Sequence, residues 1–133
     1  MNINIIKIND KGLIKKKFTE KDLLNFSELS EDRNPVHLNE EYAKNSRYKQ
    51  RINYGLLCAS LFSGIFSSQI PGEGCVYKYQ ELRFLRPIPI DIEIIAEAIV
   101  ENIDIKKKLV FFKTIILNNN KVLISGNAEI FIL

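Results

Sequence analysis

Residues Tyr54 to Gln69 constrain this chain most: Leu56, Leu57, Ala59, Leu61, Phe62, Ile65 and Phe66 cover nearly every face of a helix. A surface helix keeps one polar side, so a helix that is apolar all round has to be enclosed by the rest of the molecule. Ser60, Ser63 and Gly64 interrupt the run, which falls short of the roughly 20 apolar residues a membrane span needs. The whole chain is 133 residues long, about one domain's worth of material to do the enclosing. The expectation is a soluble protein with one domain over residues 1–133, built around this helix, with no membrane partner.

The enclosing material reads as strands. After Ile70-Pro71-Gly72-Glu73-Gly74, β-like runs cover Val76 to Leu85, Glu93 to Glu101, Leu109 to Leu117 and Val122 to Ile132, separated by short segments rich in Pro, Asp, Lys and Asn. Short connections between long strands give an antiparallel sheet. Upstream, Asn4 to Ile8 and Leu13 to Phe18 flank Asn9-Asp10-Lys11-Gly12 and read as an opening hairpin. Thr19 with Asp22 three residues on offers a helix cap, and Leu23, Leu24, Phe26 and Leu29 keep helical spacing to about Ser30. This helix stops before Pro35, and Asn39 can cap a short one over Glu40 to Asn45. The economical architecture is α+β: a long curved antiparallel sheet wrapped around the central helix.

Composition removes other classes. The chain is 46% hydrophobic and 26% charged, so it has the material for a core and is not a disordered or fibrous chain. Its net charge of +3 includes the triplets Lys15-Lys16-Lys17 and Lys106-Lys107-Lys108, which sit at strand ends or turns and read as solvated hairpin residues; no nucleic-acid partner is expected. Met1 to Ile8 carries no apolar secretory core, which points to the cytoplasm. Cys58 and Cys75 lack metal-ligand spacing and read as reduced thiols, Cys58 as core packing.

The one histidine, His37, stands in Ser30-Glu31-Asp32-Arg33-Asn34-Pro35-Val36-His37. Asp32 lies five residues earlier, up to about 17 Å away in extended chain, so the two side chains meet only if the chain turns between them. Asn34-Pro35 supplies such a turn. A carboxylate and an imidazole converging there could hold one water between an acceptor and a proton shuttle. By themselves the same residues also suit a helix end and a loop histidine. Gly55, at the start of the apolar helix, could let a ligand approach free N–H groups at the positive end of the helix dipole, or could merely fit a tight entry into the helix. One His without clustered carboxylates or thiols does not make a metal site.

Together, Asp32-Arg33-Asn34-Pro35-Val36-His37, Gly55-Leu56-Leu57-Cys58-Ala59-Ser60-Leu61-Phe62-Ser63 and Leu82-Arg83-Phe84-Leu85-Arg86-Pro87 resemble the MaoC-like (R)-specific enoyl-CoA hydratases, in order and spacing, from about Phe18 to Asp91. The resemblance implies a hotdog fold, a homodimer or higher homo-oligomer with the acyl-thioester tunnel near the subunit interface, and reversible syn hydration of trans-2-enoyl thioesters carried by CoA or acyl carrier protein. No metal or other cofactor is implied. Asp32 and His37 match the water-holding pair, Gly55 the backbone oxyanion donor, and Asn34 and Ser63 supporting positions. Tyr54 departs from the pattern, since many relatives carry histidine there, and this bears on acyl preference. Two other functions remain open on the residues: a hotdog thioesterase, which does not require the Asp-His pair, and a non-catalytic acyl-thioester-binding protein.

Overall fold

The computed structural model describes residues 2–133. A 3-10 turn at Ile3–Ile5 leads to strand β1 (Lys11–Lys16), helices α1 (Glu20–Ser30), α2 (Pro35–Leu38), α3 (Glu40–Lys44) and α4 (Gly55–Ser68), then strands β2 (Cys75–Gln80), β3 (Arg83–Phe84), β4 (Ile94–Asp104), β5 (Leu109–Asn118) and β6 (Lys121–Ile132). The capping signals act as written. Thr19 Oγ1 accepts from the Asp22 N–H at 3.1 Å while Asp22 accepts from the Thr19 N–H at 2.8 Å, and Asn39 Oδ1 accepts from the Tyr42 N–H at 2.9 Å.

One antiparallel sheet runs in the order β1-β4-β5-β6-β2, with β3 paired to the far end of β6. The β5–β6 hairpin turns through Asn119 and Asn120, both at positive φ, where asparagine is tolerated better than most residues. Along β4, Ile94, Ala96, Ala98 and Val100 alternate inward. Helix α4 lies against β4 most extensively and touches β1, β2, β5 and β6 as well. Small Ala96, Ala98 and Ala128 on the sheet leave room for Phe62, Ile65 and Phe66 of the helix, all within one buried cluster. Helix α4 is therefore central to the core, and the α+β, hotdog-like arrangement is present. Its composition predicts enclosure on every side, but Leu56, Ser60 and Ser63 stay exposed along one face. The sheet is open, with β1 and β2 as its edges, and it lies along the helix without closing around it.

Two further expectations need correction. The opening hairpin does not form: Asn2 caps the 3-10 turn through Asn4 N–H, and β1 pairs with β4 instead of with the preceding residues. Its strand pattern was real but its partner lies more than 80 residues away, where Gly12 sits opposite Ala98. A side chain at Gly12 would run into Ile65 of α4, so the glycine serves helix-on-strand packing and not a turn. The run Val76 to Leu85 is likewise two strands. A bulge between Tyr77 and Tyr79 precedes Glu81, whose carbonyl packs directly against Gly126 of β6.

Candidate active site

The segment from Glu31 to Leu38 is built by local hydrogen bonds. Helix α1 ends at Glu31 in the left-handed region, φ 63°, and Ser30 Oγ then accepts from the Asp32 N–H at 3.1 Å. Asp32 Oδ1 accepts from the Asn34 N–H at 3.1 Å, and Asn34 Oδ1 caps α2 through the Val36 N–H at 3.3 Å. Pro35 occupies the first turn of α2, where its missing N–H costs nothing. One turn of helix thus replaces a simple loop between Asp32 and His37 and brings both to the same cavity.

Three longer contacts fix this segment to the body. His37 Nδ1 lies 2.8 Å from the Ile52 carbonyl. A carbonyl only accepts, so Nδ1 carries the proton, and in the neutral ring Nε2 keeps a lone pair. Arg51, with 8% of its side chain exposed, donates from Nε to the His37 carbonyl at 2.8 Å and pairs with Glu20 at 2.9 Å and Glu40 at 3.5 Å, tying α1, α2 and α3 together. Tyr54 is 2% exposed; its hydroxyl donates to the Asp32 carbonyl at 2.7 Å, and its ring packs on His37 at 4.1 Å and on Phe26 at 4.8 Å between centroids. Burial pushes the Tyr54 phenol above its ordinary pKa, so it remains a donor.

Asp32, His37 and Gly55 line one cavity of about 390 Å³ together with Phe26, Ser30, Tyr54, Leu56 and Phe84. Helix α4 opens at Gly55 with no side-chain cap, because the Asn53 side chain turns instead to the Tyr54 N–H at 2.8 Å. The first-turn amides of α4 are therefore not taken by a cap and stand at the positive end of the helix. A Cβ at Gly55 would sit 2.5 Å from the Phe84 ring, so the absence of a side chain lets that ring close over the helix start.

Of the residues singled out in the sequence, Asp32, Asn34, His37 and Gly55 are brought together. Ser63 is not: it lies about 12 Å further along α4 at two turns' remove, faces solvent and does not line the cavity. Sequence reasoning missed Arg51, which carried no pattern, and the tie between Tyr54 and Asp32. Cys58 is buried in the core, where desolvation pushes its thiol up to about 12, an inert group. Among the described residues, no three His, Cys, Asp or Glu side chains gather as metal ligands, and no helix is long and apolar enough to cross a membrane.

Residues 8–120 match the family described as MaoC like domain. The chain is 35% identical over 127 residues to the (R)-specific enoyl-CoA hydratase of Rhodospirillum rubrum, covering 96% of this chain and 88% of that protein. Among solved structures it is similar to the (R)-hydratase from A. caviae involved in PHA biosynthesis, with a TM-score of 0.94 and 31% identity across 97% of this chain and 98% of that one. The unliganded R-hydratase PhaJ1 from Pseudomonas aeruginosa superimposes with a TM-score of 0.91 at 33% identity, over 98% of this chain and 84% of that one.

Proposed function

The chain belongs to the MaoC-like domain family, and we propose from that premise that the cavity at Asp32, His37 and Gly55 is where it performs its reaction. The protein is a hydro-lyase, an (R)-specific enoyl-CoA hydratase and 3-hydroxyacyl-CoA dehydratase of fatty acid metabolism. The observation that carries the site assignment is the shared cavity, with His37 held in the tautomer that leaves Nε2 to accept a proton.

In this reading one water sits between Asp32 and His37 Nε2. Asp32 has one oxygen on the Asn34 N–H and the other without a donor among the described residues, so it can accept from the water. As the water oxygen bonds to C3 of the enoyl thioester, its proton passes to the pair, and electron density moves through C2 to the thioester oxygen. The Gly55 N–H at the start of α4 stabilises that oxygen. The pair then returns the proton to C2 on the face the water attacked, so one water supplies both added groups and the addition is syn. Asn34 supports Asp32 and the first turn of α2, and Tyr54 and Arg51 hold the two reacting side chains in place. The reverse sequence is dehydration.

The same reading makes the protein a cytoplasmic homodimer in which the sheet curls further about α4. Leu56 and Phe84 at the cavity, the adjacent Leu85, and Val76, Tyr77 and Tyr79 on edge strand β2 are large apolar groups left exposed in one copy, and a second copy would cover them. The purified protein should hydrate crotonyl-CoA, read as loss of enoyl-thioester absorbance, with undiminished rate after treatment with a chelator. A chelator-sensitive rate, or release of free thiol in place of hydration, would contradict the mechanism. Light scattering of an active sample should give the mass of a dimer, and a monomeric mass overturns that part.

A further inference from the structure

A second cavity of about 370 Å³ adjoins the first and shares His37, Gly55 and Phe84 with it. Its character differs. The first is walled by Phe26, Tyr54 and Leu56; the second carries Arg47 and Arg86 and no carboxylate. Both arginines are exposed, and neither takes part in the ion pairs among the described residues, whereas Arg33 and Arg51 do. Two guanidinium groups facing one cavity without a counter-charge favour an anion between them, and the planar fork suits phosphate.

The walls are already in place. The Asn53 N–H donates to the Ile88 carbonyl at 2.6 Å and Ile52 bridges to Pro89, joining the two sides. The N–H groups of Leu85 and Arg86 both reach the Leu123 carbonyl, at 2.9 and 3.3 Å, and the Arg47 guanidinium rests 5.5 Å from the centre of the Tyr48 ring. Little ordering is left for a ligand to impose on this backbone.

We propose that this cavity receives the phosphate end of the thioester's handle, with Arg47 and Arg86 as its binding residues. The inference rests on the hydratase reading. A thioester substrate is apolar on its acyl side and anionic at the far end of its pantetheine arm, and the two cavities that meet at His37 and Gly55 divide in the same way. The acyl chain takes the apolar branch and the arm leaves past the arginines, which reach the phosphate from the rim. Coenzyme A and a carrier protein's phosphopantetheine share this chemistry.

The test compares wild type with the R47A/R86A double variant on crotonyl-CoA, crotonyl-phosphopantetheine and crotonyl-N-acetylcysteamine, the last lacking phosphate. The ratio of kcat/KM on crotonyl-CoA to that on crotonyl-N-acetylcysteamine should fall about tenfold or more in the variant. Free coenzyme A, measured by calorimetry, should bind the variant about tenfold more weakly, and its binding to wild type should weaken with salt. An equal fall on crotonyl-phosphopantetheine assigns the site to the phosphate nearest the arm, and a fall on crotonyl-CoA alone assigns it to coenzyme A's own additional phosphates; both uphold the site. An unchanged ratio together with unchanged coenzyme A affinity overturns it. Should wild type turn over none of the three thioesters, the hydratase reading fails, and the calorimetric comparison still decides the anion site.

Discussion

The core around α4 and the segment from Glu31 to Leu38 are held in opposite ways. Phe62, Ile65, Ala96, Ala98 and Val100 are sealed from solvent in one cluster, and their contribution is non-directional, spread over many neighbours and roughly proportional to area. Asp32 is exposed and His37 half-buried, and their positions depend on a handful of directional contacts, chiefly those from Asn34, Ile52, Arg51 and Tyr54. Losing one core contact lowers stability while the shape is retained by the rest. Losing one site contact costs less stability than losing a core side chain but removes a constraint that no other group duplicates.

The most disruptive change belongs to the core. Phe62→Ala should cost about 3–5 kcal/mol by leaving a cavity beneath the sheet, read as a lowered midpoint in denaturant titration. A loss below about 1 kcal/mol would mean that α4 is not the centre of packing. Arg51→Ala stands between the two regions. The arginine is buried but Glu20 and Glu40 are 55% and 74% exposed on their side chains, so a loss of about 2 kcal/mol is expected, less than for a fully buried pair, accompanied by a fall in kcat because the His37 carbonyl loses its donor. Unchanged turnover would separate α2 from the ion-pair network.

Tyr54→Phe sharpens the contrast. It keeps the ring against His37 and Phe26 but removes the hydroxyl from the Asp32 carbonyl, so stability should fall by about 1 kcal/mol while kcat falls more than KM changes. A variant with wild-type kcat would show that Asp32 needs no support from the Tyr54 hydroxyl. The smallest effect lies at the capping box of α1. The Thr19 N–H holds the Asp22 carboxyl below the usual aspartate range, so the ionised form is favoured in the folded state. This contribution is fully present above the unfolded pKa and disappears as pH falls through the lower folded value. Asp22→Asn should therefore lower the melting temperature slightly at neutral pH and remove that part of the acid dependence; an equal effect at pH 2 and pH 7 would contradict it.

The sequence was most legible where a local rule has only one outcome. Thr19 and Asn39 carry cap chemistry that needs no distant partner, and the apolar run of α4 marks the helix on which the core is built, although Leu56 stays exposed where the open sheet leaves one face uncovered. It was least legible where the partner is remote. The β-like run Leu13 to Phe18 announces a strand but does not say that β4 is its neighbour, and the turn-like residues Asn9 to Gly12 fit a hairpin as well as they fit the contact with Val100 and α4. The site divides along the same line. Asp32, Asn34 and His37 lie within six residues and their motif could be read directly, while Arg51 and the Tyr54 hydroxyl act through carbonyl groups, which leave no mark in side-chain identity.

The central claim is that Asp32 and His37 hold one water and contribute to turnover, not to folding. The most direct measurement is kcat on crotonyl-CoA, together with melting temperature, for Asp32→Asn, His37→Ala and the double variant in the same preparations. Each single variant should lose about 10² or more in kcat with KM within a few-fold and melting temperature nearly unchanged, and the double variant should be little worse than either single one. A folded single variant that keeps near-normal turnover, or losses of activity that follow losses of melting temperature, would contradict the account.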